Sequence, residues 1–304
     1  MRPGDQASGE NFWKAESADI NMPGELRPAT LYVVATPIGN LQDISLRALG
    51  VLGAVDLVAA EDTRRAGMLL KAFHLKKPLM SCFAHNEEKQ SWRILELLQE
   101  GKTVALVSDA GTPGISDPGA RLIRRAVQAG VAISVVPGPC AGIAALTASG
   151  LDTESFAFGG FIPRNNKERK VWLTRFGSFT GTVILYESPK RLLATLSLIK
   201  ESWGDRRCCV AREMTKRYEE FLRGSLTEVA GRLDQYESVR GEIVIVVEGS
   251  GNQETQSFSP EEMEELGTLL LRGGLHKKEA SRKLARITGK SIKMCYDMLV
   301  NQEI

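Results

Sequence analysis

Three segments rich in glycine and proline follow short apolar runs of this sequence. They are 36–40 (TPIGN), 108–119 (SDAGTPGISDPG) and 137–142 (PGPCAG). Glycine has no Cβ, so such segments let backbone N–H and C=O groups approach a bound molecule closely. One segment of this kind could be an ordinary turn between a strand and a helix. Three of them at equivalent positions predict a ligand-binding cleft.

Charged and titratable side chains follow the second and third apolar runs. Glu61, Asp62 and Arg64 lie in the segment AEDTR, and His85 lies in FAHNE. A carboxylate or an imidazole in a cleft can take a proton from a hydroxyl nucleophile. These residues are therefore candidate catalytic residues. Two alternatives stay open, since Asp62 could instead cap the following helix and a lone histidine can be structural.

Several motifs that identify common cofactors are absent. The first apolar run is not followed by GxGxxG, and no GxxxxGK[ST] phosphate loop occurs, so a dinucleotide site and a P-loop are both unsupported. With three histidines and no HExxH or Cys/His cluster, we expect no metal in the site. The acyl-transfer motif GxSxG is missing as well.

The elements that would position these side chains come from short apolar runs that alternate with amphipathic stretches of helical length. Up to residue 136 this alternation predicts parallel βαβ units with helices on both faces of a sheet. The predicted strands are 31–36, 54–60, 78–82, 103–108 and 131–136, and the predicted helices are 43–52, 63–72, 87–100 and 118–129. Asp117 and Pro118 would form the N-cap and first turn of the last helix. Because the carboxyl ends of parallel strands meet at one sheet edge, the Gly/Pro-rich segments should lie together there.

A second set of alternating elements begins after Gly150. Its predicted strands are 155–161, 182–187, 207–212, 217–223 and 242–248, and its predicted helices are 166–176, 189–201 and 225–234. The short gap between the third and fourth of these strands predicts a hairpin, and hence a mixed sheet. The region 259–304 shows no strand signal and three helical patterns in a helix-turn-helix-like arrangement. The first helix starts at Ser259 and Pro260 and ends at Gly273, and the others cover about 276–287 and 291–301.

The predicted organisation is a flexible leader, two α/β domains and a small helical domain. The boundaries are 1–29, 30–148, 149–250 and 257–304. The leader is polar and has no sustained apolar period, which is typical of a segment that does not pack by itself.

Composition excludes several classes of protein. The 304 residues are 43% hydrophobic and 25% charged, with 39 basic against 37 acidic side chains, so the chain can form a globular core and has no protein-wide cationic field. No apolar run reaches the roughly 18 residues of a membrane span. The five cysteines include no CxxC pair, which indicates reduced thiols and a cytoplasmic protein. Vicinal Cys208 and Cys209 should belong to the core.

The order of several longer segments resembles the tetrapyrrole methylase superfamily. They are VVATPIGNLQDISLRAL, AEDTR, SDAGTPGISDPG, VVPGPCAGIAALTASGL, FGGFIPR, LYESPKRL and AREMTK. Over residues 30–304 the sequence is more narrowly similar to the branch of ribosomal RNA small subunit methyltransferase I. That branch methylates the ribose 2′-hydroxyl of a cytidine in 16S rRNA, in the decoding region of the small subunit, with S-adenosylmethionine (AdoMet) as methyl donor. AEDTR and SDAGTPGISDPG are the segments specific to it.

The resemblance implies a fold, a cofactor and a set of contacts. The fold would be two α/β domains of the tetrapyrrole-methylase type with AdoMet in the cleft between them. The protein would be a homodimer that acts on 16S rRNA or the 30S subunit. Carried over by position, the residues that contact AdoMet would be Pro37, Asp109, Ala110, Gly111, Ile115, Cys140, Ala141, Glu187 and Met214.

Two basic segments are candidates for RNA binding. One follows the strand that opens the second domain and contains Arg164 and Lys167. The other lies between Arg272 and Lys293, where eight basic residues accompany one acidic residue, Glu279. There we expect phosphate contacts from Lys278, Arg282, Lys283, Arg286 and Lys290. A basic helix face can also be simply solvated.

Three further arginines have two possible roles. Arg64, Arg191 and Arg212 each lie just beyond a strand or at the start of a helix. They could bind RNA phosphates, or they could form structural ion pairs. The acidic partners for such pairs would be Glu61, Asp62 and Glu187.

Two other functions compete with rRNA methylation. A tetrapyrrole methyltransferase of cobalamin or siroheme synthesis would share the fold and the cofactor, but a small porphyrinoid needs no basic helical appendage. A non-catalytic RNA-binding assembly factor would not need three Gly/Pro-rich loops on one sheet edge, and the sequence lacks the aromatic-rich strands of stacking-based RNA readers.

Overall fold

The apolar runs up to residue 136 form one parallel five-stranded sheet in the computed structural model, which describes residues 26–83, 85–251, 259–288 and 290–300. Its strands are β1 (Thr30–Val34), β2 (Leu57–Ala60), β3 (Leu79–Ser81), β4 (Val104–Val107) and β5 (Ala132–Val136), in the order β3-β2-β4-β1-β5. The predicted strands and their parallel pairing are confirmed.

Helices cover both faces of this first sheet. On one face α1 (Leu46–Ala54) and α2 (Thr63–Ala72) pack on the strands, and on the other α3 (Glu87–Gln99) and α4 (Ala120–Gln128) do so. All residues of β1 and β4 are buried, as expected for central parallel strands that are covered on two sides.

The start of α4 corrects one prediction. The N-cap of this helix is Gly119, at φ 122°, and not Asp117. A carboxylate from α3 takes the capping role instead, because Oε1 of the buried Glu87 accepts the N–H groups of Gly119 at 3.0 Å, Arg121 at 2.9 Å and Leu122 at 3.2 Å. These are the N–H groups that a helix leaves without an internal partner. Asp117 is thereby free for another role.

The sequence analysis also missed one helix, α5 (Ala141–Ser149), which joins the two sheets. Its residues are small and apolar on every side, so it has no amphipathic period to reveal it. It ends at Gly150, whose φ of 76° lies in the left-handed region. Ala145 and Leu146 bury it against the second sheet.

The second sheet is mixed, as predicted. Its strands are β6 (Phe156–Phe161), β7 (Thr182–Glu187), β8 (Arg207–Arg212), β9 (Glu220–Ser225) and β10 (Ile243–Val247), in the order β6-β7-β10-β8-β9. β6 pairs with β7 in parallel, whereas the other pairs are antiparallel and include the predicted β8–β9 hairpin. One face packs on α6 (Asn166–Gly177), α7 (Leu192–Trp203) and α8 (Leu226–Leu233), and the other on α5. Cys208 and Cys209 are buried on opposite faces and unpaired, which confirms their core role.

Three helices follow the second sheet, at the positions that the sequence predicts. They are α9 (Pro260–Arg272), α10 (Lys277–Thr288) and α11 (Ile292–Val300). Ser259 and Glu262 form a reciprocal capping box at the start of α9. The helices bury a hydrophobic cluster of their own, made of Met263, Ala280, Leu284, Ala285, Cys295 and Leu299.

The domain boundaries stay predictions. Most of the predicted leader lies outside the described residues, and so do residues 252–258 between the second sheet and α9. In the described part of the chain, no helix combines the length and the apolar character that crossing a membrane requires.

Candidate active site

A cavity of about 450 Å³ lies between the carboxyl edge of the first sheet and the second sheet. The first sheet contributes the loops after β1, β2, β4 and β5, and the second contributes the end of β7, Met214 and the start of β10. Its volume is within the range of about 300–1,000 Å³ typical of small-molecule sites. The predicted convergence of the Gly/Pro-rich loops therefore forms a cleft of a size that suits a small molecule.

A backbone bridge fixes the geometry of two of these loops. The N–H of Thr36 donates to the Gly111 carbonyl at 2.8 Å, and the N–H of Gly111 donates to the Thr36 carbonyl at 3.0 Å. Gly111 has a φ of 77°, a conformation that L side chains rarely adopt. Thr112 Oγ1 also donates to the Pro139 carbonyl at 3.1 Å, which ties the loop after β4 to the loop after β5. The cavity wall is thus held in shape by the protein itself.

The residues that the resemblance assigns to a cofactor are brought together, with one exception. Those that line the cavity are Asp109, Ala110, Gly111, Ile115, Cys140, Ala141, Glu187 and Met214. Pro37 instead lines a smaller neighbouring cavity, because the chain turns there before Ile38 reaches the larger one.

Of the predicted catalytic residues, only Glu61 lines the cavity. Asp62 is the N-cap of α2, where its side chain accepts the N–H of Arg64 at 2.8 Å. Arg64 is exposed, and its guanidinium pairs with Asp62 at 2.6 Å. Hydrogen bonds from Arg64 lower the pKa of Asp62 to about 2. Asp62 thus takes the alternative role of helix cap, and Arg64 takes that of an ion-pair partner.

His85 is exposed and does not reach the cavity. Its ring lies edge-on to Phe83, with 6.3 Å between centroids. The reason is strand order, because β3 is the edge strand of the first sheet whereas the cavity lies beyond β1 and β4 at its centre.

Arg191 and Arg212 form ion pairs. Arg191 lies 3.5 Å from Glu187 and donates to the Ile162 carbonyl at 2.9 Å. Arg212 pairs at 2.8 Å with Glu220, across the β8–β9 hairpin, and not with any of the acidic residues named from the sequence.

Three carboxylates, those of Glu61, Asp109 and Asp117, line the cavity and influence one another electrostatically. Burial raises the pKa of Asp117 to about 6, and Glu61 and Asp109 act in the same direction. Burial and the charge of Asp109 also raise the pKa of Glu61. Asp109 is held by the N–H of Asp62 at 3.0 Å and lies 3.4 Å from Arg65 Nε. The wall is therefore anionic and poised to take up positive charge or a proton.

Within the described residues, no three His, Cys, Asp or Glu side chains are grouped so that they could hold a metal ion.

Tyr186 contributes to the cavity from the second sheet. Its hydroxyl accepts the N–H of Gly142 at 3.1 Å, and burial raises the pKa of this hydroxyl to about 12. Tyr186 therefore remains a neutral phenol at physiological pH.

Asp117→Asn should increase the free energy of unfolding at pH 8 and leave it nearly unchanged at pH 4. The folded-state pKa of Asp117 is about 6, above its ordinary value of 3.8. The wild type therefore loses stability between about pH 4 and about pH 6, where the unfolded chain is already ionised at Asp117 and the folded protein still binds the proton, whereas asparagine stays neutral. Urea denaturation at the two pH values measures the difference.

The matched control is Asp234→Asn, at an exposed aspartate that follows α8. Because this side chain is exposed, the effect on the free energy of unfolding should differ much less between the two pH values than it does for Asp117→Asn. If Asp117→Asn gives no gain that depends on pH, Asp117 is not held against the other two carboxylates.

Sequence reasoning missed Asp117, Arg65 and Tyr186 in this cavity. Asp117 precedes Pro118, and an Asp-Pro pair is a strong signal for the start of a helix. The sequence therefore predicted a helix cap for Asp117 and not a place in the cavity wall. The position of Tyr186 depends on how the second sheet faces the first, which no local pattern encodes.

The candidate RNA-binding residues lie away from the cavity. Side chains of Arg164, Lys167, Lys278, Arg282, Lys283 and Lys290 are exposed, and none lines the cavity. Arg286 belongs to α10, but its side chain lies outside the described residues.

Comparison with known proteins adds three findings. The model of the family Tetrapyrrole (Corrin/Porphyrin) Methylases matches residues 30–230. Ribosomal RNA small subunit methyltransferase I of Bacillus subtilis is 44% identical over 235 residues, which are 77% of this chain and 80% of that protein. The protein of the same name from Synechocystis sp. is 42% identical over 274 residues, 90% of this chain and 98% of that one.

A solved structure shows the same fold. Uroporphyrin-III C-methyl transferase from Thermus thermophilus, complexed with S-adenyl homocysteine, superposes with a TM-score of 0.52 at 17% identity, over 73% of this chain and 98% of that chain. The predicted architecture of two α/β sheets of the tetrapyrrole-methylase type, followed by helices, is confirmed.

Proposed function

Because the chain belongs to the tetrapyrrole methylase family, and within it to the ribosomal RNA small subunit methyltransferase I branch, we propose that it transfers a methyl group from AdoMet to small-subunit ribosomal RNA. More narrowly, we propose that the acceptor is the ribose 2′-hydroxyl of a cytidine in the decoding region of 16S rRNA. Such a substrate, as free rRNA or the 30S subunit, would place the enzyme in the cytoplasm.

The observation that carries this proposal is the chemistry of the cavity wall. AdoMet has a sulfonium and an ammonium group, and the carboxylates of Glu61, Asp109 and Asp117 provide the complementary charge. The apolar side chains of Ile38, Ile115, Met214, Ile243 and Val244 line the same cavity and suit an adenine ring. The residues present therefore fit AdoMet, and we assign its binding to the loops after β1, β4 and β5 together with Glu187 and Met214.

When bound, AdoMet supplies a methyl group that its sulfonium already activates. The protein then has to align the acceptor hydroxyl, exclude water and accept one proton. Two loops locked by the Thr36–Gly111 bridge provide a rigid frame for alignment. As acceptors of the proton we propose the carboxylates of Glu61 and Asp117. The pKa of Asp117, at about 6, leaves its carboxyl group ionised near neutral pH, and this pKa is close to the best value for a general base.

The proposed homodimer has support at two sheet edges. β5 and β6 are edge strands of their sheets, and they expose Val135, Phe156, Phe158 and Phe161. An exposed apolar edge strand can pair with a strand of another chain. We propose that a second copy of this chain covers them.

One labelling experiment separates this function from its rivals. The protein is incubated with radiolabelled AdoMet and, in separate reactions, 30S subunits, naked 16S rRNA and uroporphyrinogen. We expect label in rRNA, and its release as a 2′-O-methylated cytidine after nuclease digestion. Label only in the porphyrinoid would identify a tetrapyrrole methyltransferase, and absence of label in all three would favour a non-catalytic RNA-binding protein.

A further inference from the structure

A second, smaller cavity of about 300 Å³ adjoins the first. The two share five lining residues, namely Ile38, Arg65, Asp109, Ala110 and Glu242. The rest of the second wall comes from the loop after β1, from α2, from the end of β4 at Val107 and Ser108, and from Lys216. A molecule in the second cavity would therefore lie next to a molecule in the first, beside Asp109 and Ala110, which line both cavities.

We propose that the second cavity binds the base of the acceptor nucleotide of the RNA after it has been flipped out of its stack, with its ribose 2′-hydroxyl directed past Asp109 into the first cavity. This inference rests on the proposed function and adds where the substrate binds. Enzymes that modify a nucleotide within a folded nucleic acid commonly extrude it into a pocket beside the reacting group. The volume lies at the lower end of the small-molecule range, so it suits one nucleotide unit and not a tetrapyrrole macrocycle.

Apolar side chains in this cavity are exposed without a structural reason. Met68 on α2 is 65% exposed and Leu41 is 48% exposed, and both line the second cavity. Contact with the face of a base would cover them. A thioether against an aromatic ring is a favourable contact in its own right.

Two cations adjoin these apolar side chains. Arg65 keeps 59% of its side chain exposed although its Nε lies 3.4 Å from Asp109, so further guanidinium N–H groups are available to a phosphate. Lys216 is held between Glu213 at 3.0 Å and Glu242 at 3.3 Å. An apolar surface beside a partly free arginine matches the two parts of a nucleotide, its base and its phosphate.

Two loops pack tightly against each other at the rim of the cavity. A Cβ on Gly39 would lie 2.6 Å from Lys216 Cγ and 2.8 Å from Thr215 Oγ1. The loop after β1 therefore lies directly against the loop after β8. Thr215 Oγ1 is buried and has no hydrogen-bond partner within the described residues, so the rim retains an unused hydroxyl.

Met68→Trp tests the proposal by filling the cavity. We expect kcat/KM for methylation of 30S subunits or 16S rRNA to fall at least about tenfold, whereas the Kd for AdoMet measured by calorimetry changes less than about twofold. Val127→Trp is the matched control, since Val127 is 63% exposed on α4 and lines neither cavity. It should leave both quantities at the wild-type value.

A footprint provides a readout that does not depend on activity. With AdoMet bound, cytidine 5′-monophosphate should slow the peroxide oxidation of Met68, while inorganic phosphate should not. Met294, which is 53% exposed on α11, serves as the internal reference and should oxidise at an unchanged rate.

The outcomes are distinct. Met68→Trp with wild-type kcat/KM, or equal oxidation of Met68 with and without the nucleotide, would overturn the assignment of this cavity. A wild-type protein that labels no RNA would overturn the proposed function instead, and the footprint would still report on the cavity.

Discussion

Gly111→Val is expected to reduce AdoMet affinity at least about a hundredfold while the chain stays folded. Gly111 has a φ of 77° and exchanges two backbone hydrogen bonds with Thr36. A β-branched residue is a genuine outlier at that φ, and holding it there costs about 1–3 kcal/mol. The loop after β4 should relax to a negative φ, which breaks the bridge and moves Asp109 and Ala110 out of the cavity wall.

Strain of the backbone, and not a direct clash, is the reason for this expectation. A Cβ at Gly111 would lie 3.4 Å from Ile38 Cγ2 and 3.7 Å from the Pro139 carbonyl oxygen. Contacts of this length are tolerable, so the hydrophobic core should survive. Calorimetric titration measures AdoMet binding, and circular dichroism monitors the fold.

Gly130→Val is the matched control. Gly130 follows α4 with a φ of 69°, a Cβ added there would have no described atom within 4 Å, and the residue lines neither cavity. The variant should lose a similar amount of stability and bind AdoMet normally. Normal AdoMet affinity in Gly111→Val would remove the loop after β4 from the cofactor site.

The strands could be predicted from the sequence because each is a short apolar run with its own turn signals. The run 103–108 is an example, since its core is β4, buried on both faces. α5 could not be predicted in this way, because Ala, Gly and Leu on all its sides give no period. Its helical state comes from packing on the second sheet.

Site residues could be predicted where a loop has an unusual composition, and not where tertiary structure decides. Asp109 and Gly111 belong to a Gly/Pro-rich loop and do line the cavity. His85 follows a strand as well, but strand order places β3 at the sheet edge. Asp117 lost its expected capping role because Glu87, from a different helix, provides the cap. Contacts between elements distant in sequence decide both cases.

Reversing three charges on α10, with Arg282, Lys283 and Arg286 changed to Glu, should weaken rRNA binding at least about a hundredfold at low salt. Arg282 and Lys283 are exposed, whereas the neighbouring Leu284 and Ala285 face the cluster of the three C-terminal helices. Each phosphate contact adds about −0.9 for duplex or −0.7 for single-stranded RNA to the slope of log affinity against log salt. Losing three contacts should therefore flatten that slope by about 2 to 3, as measured by filter binding over a salt series.

AdoMet affinity should not change in this variant, because Arg282 and Lys283 line neither cavity and the C-terminal helices have a hydrophobic cluster of their own. The matched control reverses three exposed cations elsewhere, Lys76, Arg124 and Lys200, and so changes the net charge equally. If both variants weaken binding to the same extent, the effect is one of overall charge. If the α10 variant binds and methylates 30S subunits like the wild type, its basic face is solvated surface, and Arg164 and Lys167 become the residues to test for phosphate contact.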